Sequence, residues 1–175
     1  LDPQGNASTA AGTPKKQNTL FQVYSQNLNI KEQIKLNLAS NNIQSNPEVI
    51  AVSKTFGIDK IIPLIEYGHE HFGENKVQEA IMKWEETKKK KNKIKLHLIG
   101  KLQTNKVKFA VKLFDYIHSL DSEKLAKKIS DEQNKQNLKP KLFIQINLGE
   151  EAQKSGISKK DLFDFKKYCE GLNLN

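Results

Sequence analysis

The chain has 175 residues, 37% of them hydrophobic, which suits one globular domain with an ordinary core; no apolar run approaches the roughly 20 residues of a membrane-spanning helix, and the N-terminus lacks a secretory layout. Its only cysteine, Cys169, rules out an intramolecular disulfide, a paired thiol motif and a zinc cluster, so a reducing cytoplasm is the expected compartment. The net charge of +9 raises the question of a nucleic-acid partner, but every one of the 29 basic residues is lysine, and the guanidinium fork that reads guanine edges is missing.

Residues 1–18 carry no large apolar side chain after Leu1 and read as a disordered arm or an expression remnant. Residues 19–175 form the domain. From 20 to 40, apolar residues recur at Leu20, Val23, Tyr24, Leu28, Ile34 and Leu38, near helical spacing, which predicts a leading helix. Beyond it, short runs rich in β-branched residues alternate with amphipathic stretches. Strands are expected at 49–53, 70–73, 94–99, 116–119 and 141–148, with helices at 59–67, 76–88, 104–113, 122–137 and 159–169. Helices separating strands at this spacing imply parallel strands joined by crossovers, hence an α/β fold. Gly68 suits a helix C-terminus, whereas Pro63 is tolerable only near the first turn of its helix. Five such units fit either a doubly wound sheet or part of an eight-stranded barrel. Both architectures place ligands at the carboxyl ends of the strands.

At that end of the first strand stands Lys54, sharing a two-residue period with Ile50 and Val52. Burial of an ammonium lowers its pKa and creates the neutral amine that attacks aldehydes; the plain alternative is a lysine that snorkels to solvent. The second strand leads into Asn75, which with Gln78 resembles a helix-capping arrangement as well as a ligand contact. His69 and His71 lack a third partner for a metal. His97 reads as a hydrogen-bonded core histidine in preference to an acid or base. The fifth strand delivers Gln145 and Asn147, followed by a loop with Gly149, Lys154, Ser155 and Gly156; a buried amide such as Asn147 needs partners, either in a network or on a ligand. The lysine runs read as solvated surface. No phosphate-cradling glycine motif of the P-loop or dinucleotide type is present.

Taken in order, Ala51-Val52-Ser53-Lys54-Thr55, Phe72-Gly73-Glu74-Asn75-Lys76-Val77-Gln78-Glu79, His97-Leu98-Ile99-Gly100 with Leu102-Gln103 and Asn105-Lys106, His118-Ser119-Leu120-Asp121-Ser122, Gln145-Ile146-Asn147 and Lys154-Ser155-Gly156 closely resemble the pyridoxal phosphate homeostasis proteins. The resemblance runs over about residues 20–175. It implies a parallel β/α barrel of the TIM type, similar to the N-terminal domain of alanine racemase, with about five of eight units in this sequence. It further implies pyridoxal 5′-phosphate (PLP) held as a Schiff base on Lys54, with Asn75, His97 and Asn147 lining the cofactor cavity. The family is regarded as carrying or buffering PLP in vitamin B6 and amino-acid homeostasis without catalytic turnover, with PLP-dependent apoenzymes as recipients. A cytoplasmic monomer without a specific nucleic-acid or membrane partner is expected. The runner-up is a PLP-dependent racemase or decarboxylase, which resembles a two-domain machine with a second base opposite the lysine. The family normally continues through three more strands whose turns hold the phosphate, so weaker cofactor retention is expected of residues 1–175 alone.

Overall fold

The computed structural model describes residues 30–45, 47–149 and 155–174. The expected arm at 1–18, the first part of the leading helix and Lys154 lie outside these residues. A helix α1 at Ile30–Ser40 opens the described chain. Then follow β1 (Ala51–Val52), α2 (Ile58–Glu66), β2 (His71–Glu74), α3 (Val77–Lys90) and β3 (Lys95–Leu98). A 3-10 turn at Thr104–Lys106 runs into α4 (Val107–Leu113), and β4 (Tyr116–Leu120), α5 (Glu123–Gln136), β5 (Lys141–Ile144) and α6 (Leu162–Gly171) complete the order.

The strands form one parallel sheet in the order β1-β2-β3-β4-β5. That order settles the choice left open by periodicity. A doubly wound sheet reverses its strand order at a switch point, whereas each strand here lies beside its sequence neighbour, as in the wall of a β/α barrel. The register Gly73↔His97 and His97↔Tyr116 places alternate residues on two faces. On the face toward the helices, Phe72, Leu96, Leu98 and Ile117 join Ile61 and Leu64 of α2, Trp84 of α3 and Ile129 of α5 in a core, all 0% exposed. The other face, lining the barrel interior, carries His71, Gly73, His97, Tyr116 and His118.

The first and fifth strands are shorter than expected, and Pro63 lies deeper in its helix. The first strand pairs only over Ala51–Val52, although the Ser53 amide still donates to the Gly73 carbonyl at 2.9 Å. The fifth strand ends at Ile144 and continues as a single bridge between Ile146 and Ile157. That bridge brings Gly156 against the strand; its φ of +132° and the 2.7 Å from a Cβ there to the Asn147 amide nitrogen leave no room for a side chain. Pro63 sits sixth in the nine-residue α2, beyond the first turn. The bond it forgoes belongs to the carbonyl of Asp59, an exposed residue in the opening turn of the helix. Helix α5 is capped at both ends: Ser122 accepts from the Leu125 amide at 3.4 Å, and Asn137 closes the helix in the left-handed region.

Candidate functional site

The carboxyl ends of the strands gather the polar residues singled out by the sequence. Lys54 follows Ser53 at the end of β1 and is half-buried. Asn75 follows β2 and is also half-buried, and its carbonyl oxygen presses so closely on Gly100 that a Cβ there would overlap it. The capping arrangement expected of Asn75 and Gln78 is not formed. The N-cap of α3 is Lys76, without a side-chain cap bond, and Asn75 stands one position too early to cap the helix. Two hollows open on this end. One is lined by Asn75, Lys76, Gln103 and Lys106, the other by Ile99, Gln145, Asn147 and Ser155, and Lys101 borders both. In the second, the Lys101 ammonium donates to Ser155 Oγ at 2.8 Å and the Gln145 amide donates to the Ser155 carbonyl at 3.1 Å, which ties the loop after β5 to the end of β3. Lys54, Asn75 and Asn147 thus share the end of the sheet where parallel β/α folds bind ligands.

His97 belongs to a different layer. Moving from β1 to β4, each inward residue of one diagonal row stands two positions further along its strand: Glu48, His71, His97, His118. His71 Nδ1 lies 2.9 Å from His97 Nε2, and His97 Nδ1 lies 2.9 Å from His118 Nε2. Glu48 Oε2 stands 3.7 Å from His71 Nε2. One proton order satisfies every contact: His118 donates to His97, His97 to His71, and His71 turns its remaining N–H toward the Glu48 carboxylate. Tyr116 stacks on the His97 ring at 4.2 Å and Phe143 on the His118 ring at 4.5 Å. The His97 pKa falls to about 3, chiefly through burial and then through the charges of His118 and His71, with Asp115 pulling the other way; burial lowers that of His118 as well. His97 is therefore a neutral core histidine with both ring nitrogens engaged. Above the row, Ile50 and Ile99 close over Gly73, whose missing Cβ would meet them at 3.1 and 3.2 Å. His69 turns away from this row and donates to the His71 carbonyl at 2.8 Å, and among the described residues no group of three ligating side chains is placed to hold a metal.

Sequence reasoning missed the cluster behind Lys54. Glu74, 0% exposed, points to the helix layer, where its Oε1 accepts from Ser53 Oγ at 2.6 Å, Lys83 Nζ at 2.8 Å and Trp84 Nε1 at 2.9 Å. A carboxylate two places from Phe72, on the face that should be apolar, was the available signal.

The fold and these residues define a lysine-bearing wall of a parallel β/α barrel with an amide-lined ligand end. The chain belongs to the family of the alanine racemase N-terminal domain, whose profile matches residues 31–175, and is similar to the pyridoxal phosphate homeostasis proteins. It is 39% identical to the pyridoxal phosphate homeostasis protein of Buchnera aphidicola over 83% of its own length and 62% of the relative's. Among solved structures, PipY of Synechococcus elongatus with PLP bound is 39% identical, with a TM-score of 0.65, over 80% of this chain and 65% of that one. An alanine racemase of Clostridium difficile, 12% identical with a TM-score of 0.53 over 79% of this chain and 36% of that one, shares the fold. The chain thus spans less than two thirds of these relatives.

Proposed function

We propose that the protein binds PLP as a Schiff base on Lys54 and serves as a carrier or buffer of the cofactor in vitamin B6 and amino-acid homeostasis. One observation carries the reading: a half-buried lysine stands two residues beyond the first barrel strand, in a chain 39% identical to a protein whose structure holds PLP. The surroundings fit such a group. The amine of Lys54 supplies the nucleophile toward an aldehyde, and one water leaves as the carbon–nitrogen double bond forms. Asn75 and Asn147 stand at the same end with amides for the ring substituents, and Lys101, between the two hollows, offers positive charge to a phosphate. His97 takes part as the floor beneath the Ile50 and Ile99 side chains. PLP itself supplies the electron-accepting ring.

Carriage without turnover is the favoured activity, in keeping with relatives named for pyridoxal phosphate homeostasis. PLP-dependent apoenzymes are the proposed recipients, and a cytoplasmic monomer the proposed state. Absorption spectra with added PLP, before and after borohydride reduction, followed by sequencing of the modified peptide, test the assignment. Label on Lys54 that disappears in Lys54→Ala is expected, and unchanged labelling in that variant would refute it. Loss of the α-deuterium from L- or D-alanine at saturating PLP should be negligible; robust loss abolished by Lys54→Ala would favour a racemase.

A further inference from the structure

The residue before Lys54 is held more firmly than its position at the end of a two-residue strand requires. The Ser53 amide donates to the Gly73 carbonyl at 2.9 Å. The Ser53 carbonyl accepts from the Phe56 amide at 3.1 Å and from Lys83 Nζ at 2.7 Å. Its hydroxyl donates to Glu74 Oε1 at 2.6 Å. Amide, carbonyl and side chain are all engaged, and Ser53 is 0% exposed.

The partners are themselves buried and charged. Lys83 bridges the Ser53 carbonyl and the Glu74 carboxylate with its side chain only 10% exposed, and Trp84 closes the cluster from the next position of α3. Glu74 Oε2 is buried without a hydrogen-bond partner, so the carboxylate depends on the three donors at Oε1. Burying two charges to brace one backbone position is a poor way to gain stability, since an apolar cluster of the same volume does as well or better. Such a cluster does fix geometry. Hydrogen bonds to ionised groups are short and directional, and they hold Ser53 toward the helices. Lys54 is the next residue and opens the turn that the Phe56 amide closes on the Ser53 carbonyl, so the fixed Ser53 peptide sets where the lysine backbone starts.

We infer that Ser53, Glu74 and Lys83 are positioning residues: they lock the peptide that carries Lys54 so that its amine meets an aldehyde at the ligand end of the barrel. This rests on the reading of Lys54 as the cofactor lysine. The cluster acts on the amine and not on the phosphate, so its loss should weaken PLP and phosphate-free pyridoxal by the same factor.

The test titrates both aldehydes into the full chain at fixed salt and follows the imine absorbance, with thermal unfolding recorded in parallel. Ser53→Ala removes one oxygen from the cluster. It is expected to raise the half-saturating concentration of PLP and of pyridoxal about tenfold alike, the loss of one charge-assisted hydrogen bond, with the folded state intact. Ser53→Thr restores the hydroxyl and should recover most of the affinity. The double variant Lys83→Met with Glu74→Gln, which leaves no charge unpaired, should show the same equal loss for both aldehydes and serves in place of Ser53→Ala should that variant not fold. Unchanged half-saturation in a folded Ser53→Ala or double variant would overturn the inference, as would a loss confined to PLP. Failure of the underlying reading would show differently, as imine formation that survives in Lys54→Ala.

Discussion

Acidification from pH 7 to pH 5 should cost this fold about 2 kcal/mol through His97 alone. Its imidazole is 4% exposed and titrates near pH 3 in the folded state, against 6.5 as the ordinary value. A depressed folded pKa means that the unfolded chain binds the proton first. The stabilisation is full above pH 6.5 and is lost as the pH falls toward 3. Between pH 7 and 5 the unfolded histidine takes up most of one proton while the folded one takes up almost none, which integrates to about 2 kcal/mol. His118 is shifted in the same direction by burial and adds to the loss. The window isolates histidines, because the depressed carboxylates Glu86 and Glu132 begin to contribute only below their ordinary value of 4.5. Urea unfolding followed through Trp84, the single tryptophan and fully buried, gives the free energy at each pH. His97→Gln retains a donor and an acceptor but does not titrate, and should remove about 2 kcal/mol of the loss between pH 7 and 5. A wild-type stability that is flat over this range, or an equal loss in His97→Gln, would refute the reasoning.

Lys83→Met alone leaves the Glu74 carboxylate buried without its counter-ion and should destabilise by about 3–5 kcal/mol, with most of this recovered by adding Glu74→Gln; urea midpoints of the two variants decide it. Gly100→Ala drives a Cβ into the Asn75 carbonyl and should lower the melting temperature while displacing the turn after β2, so that PLP binding falls with stability; an unchanged melting temperature would show that the turn can shift freely. Gly156→Ala places a side chain at φ +132° against the Asn147 amide and should loosen the loop after β5, read as faster amide exchange at Asn147 and Ile157, the two amides of the bridge.

Several features were legible because they are local. Runs of β-branched residues and helical spacing mark strands and helices wherever one face is buried, and the five units and the place of Lys54 just after the first strand both follow from residues near one another in sequence. The ends of β1 and β5 were overextended, since apolar alternation continues through Ser53 and up to Leu148 while ladder bonding depends on a neighbour that only the fold supplies. The choice of barrel wall over doubly wound sheet was a matter of strand order, to which periodicity is blind. The same holds for the chemistry behind and beneath Lys54. Glu74, Ser53 and Lys83 meet from two strands and a helix, and His71, His97 and His118 touch only because parallel register advances the inward row by two residues per strand. Identity and spacing along one strand determine which face a side chain takes. Which side chains it then meets depends on the neighbouring strands, whose register is set by burying the whole sheet against its helices.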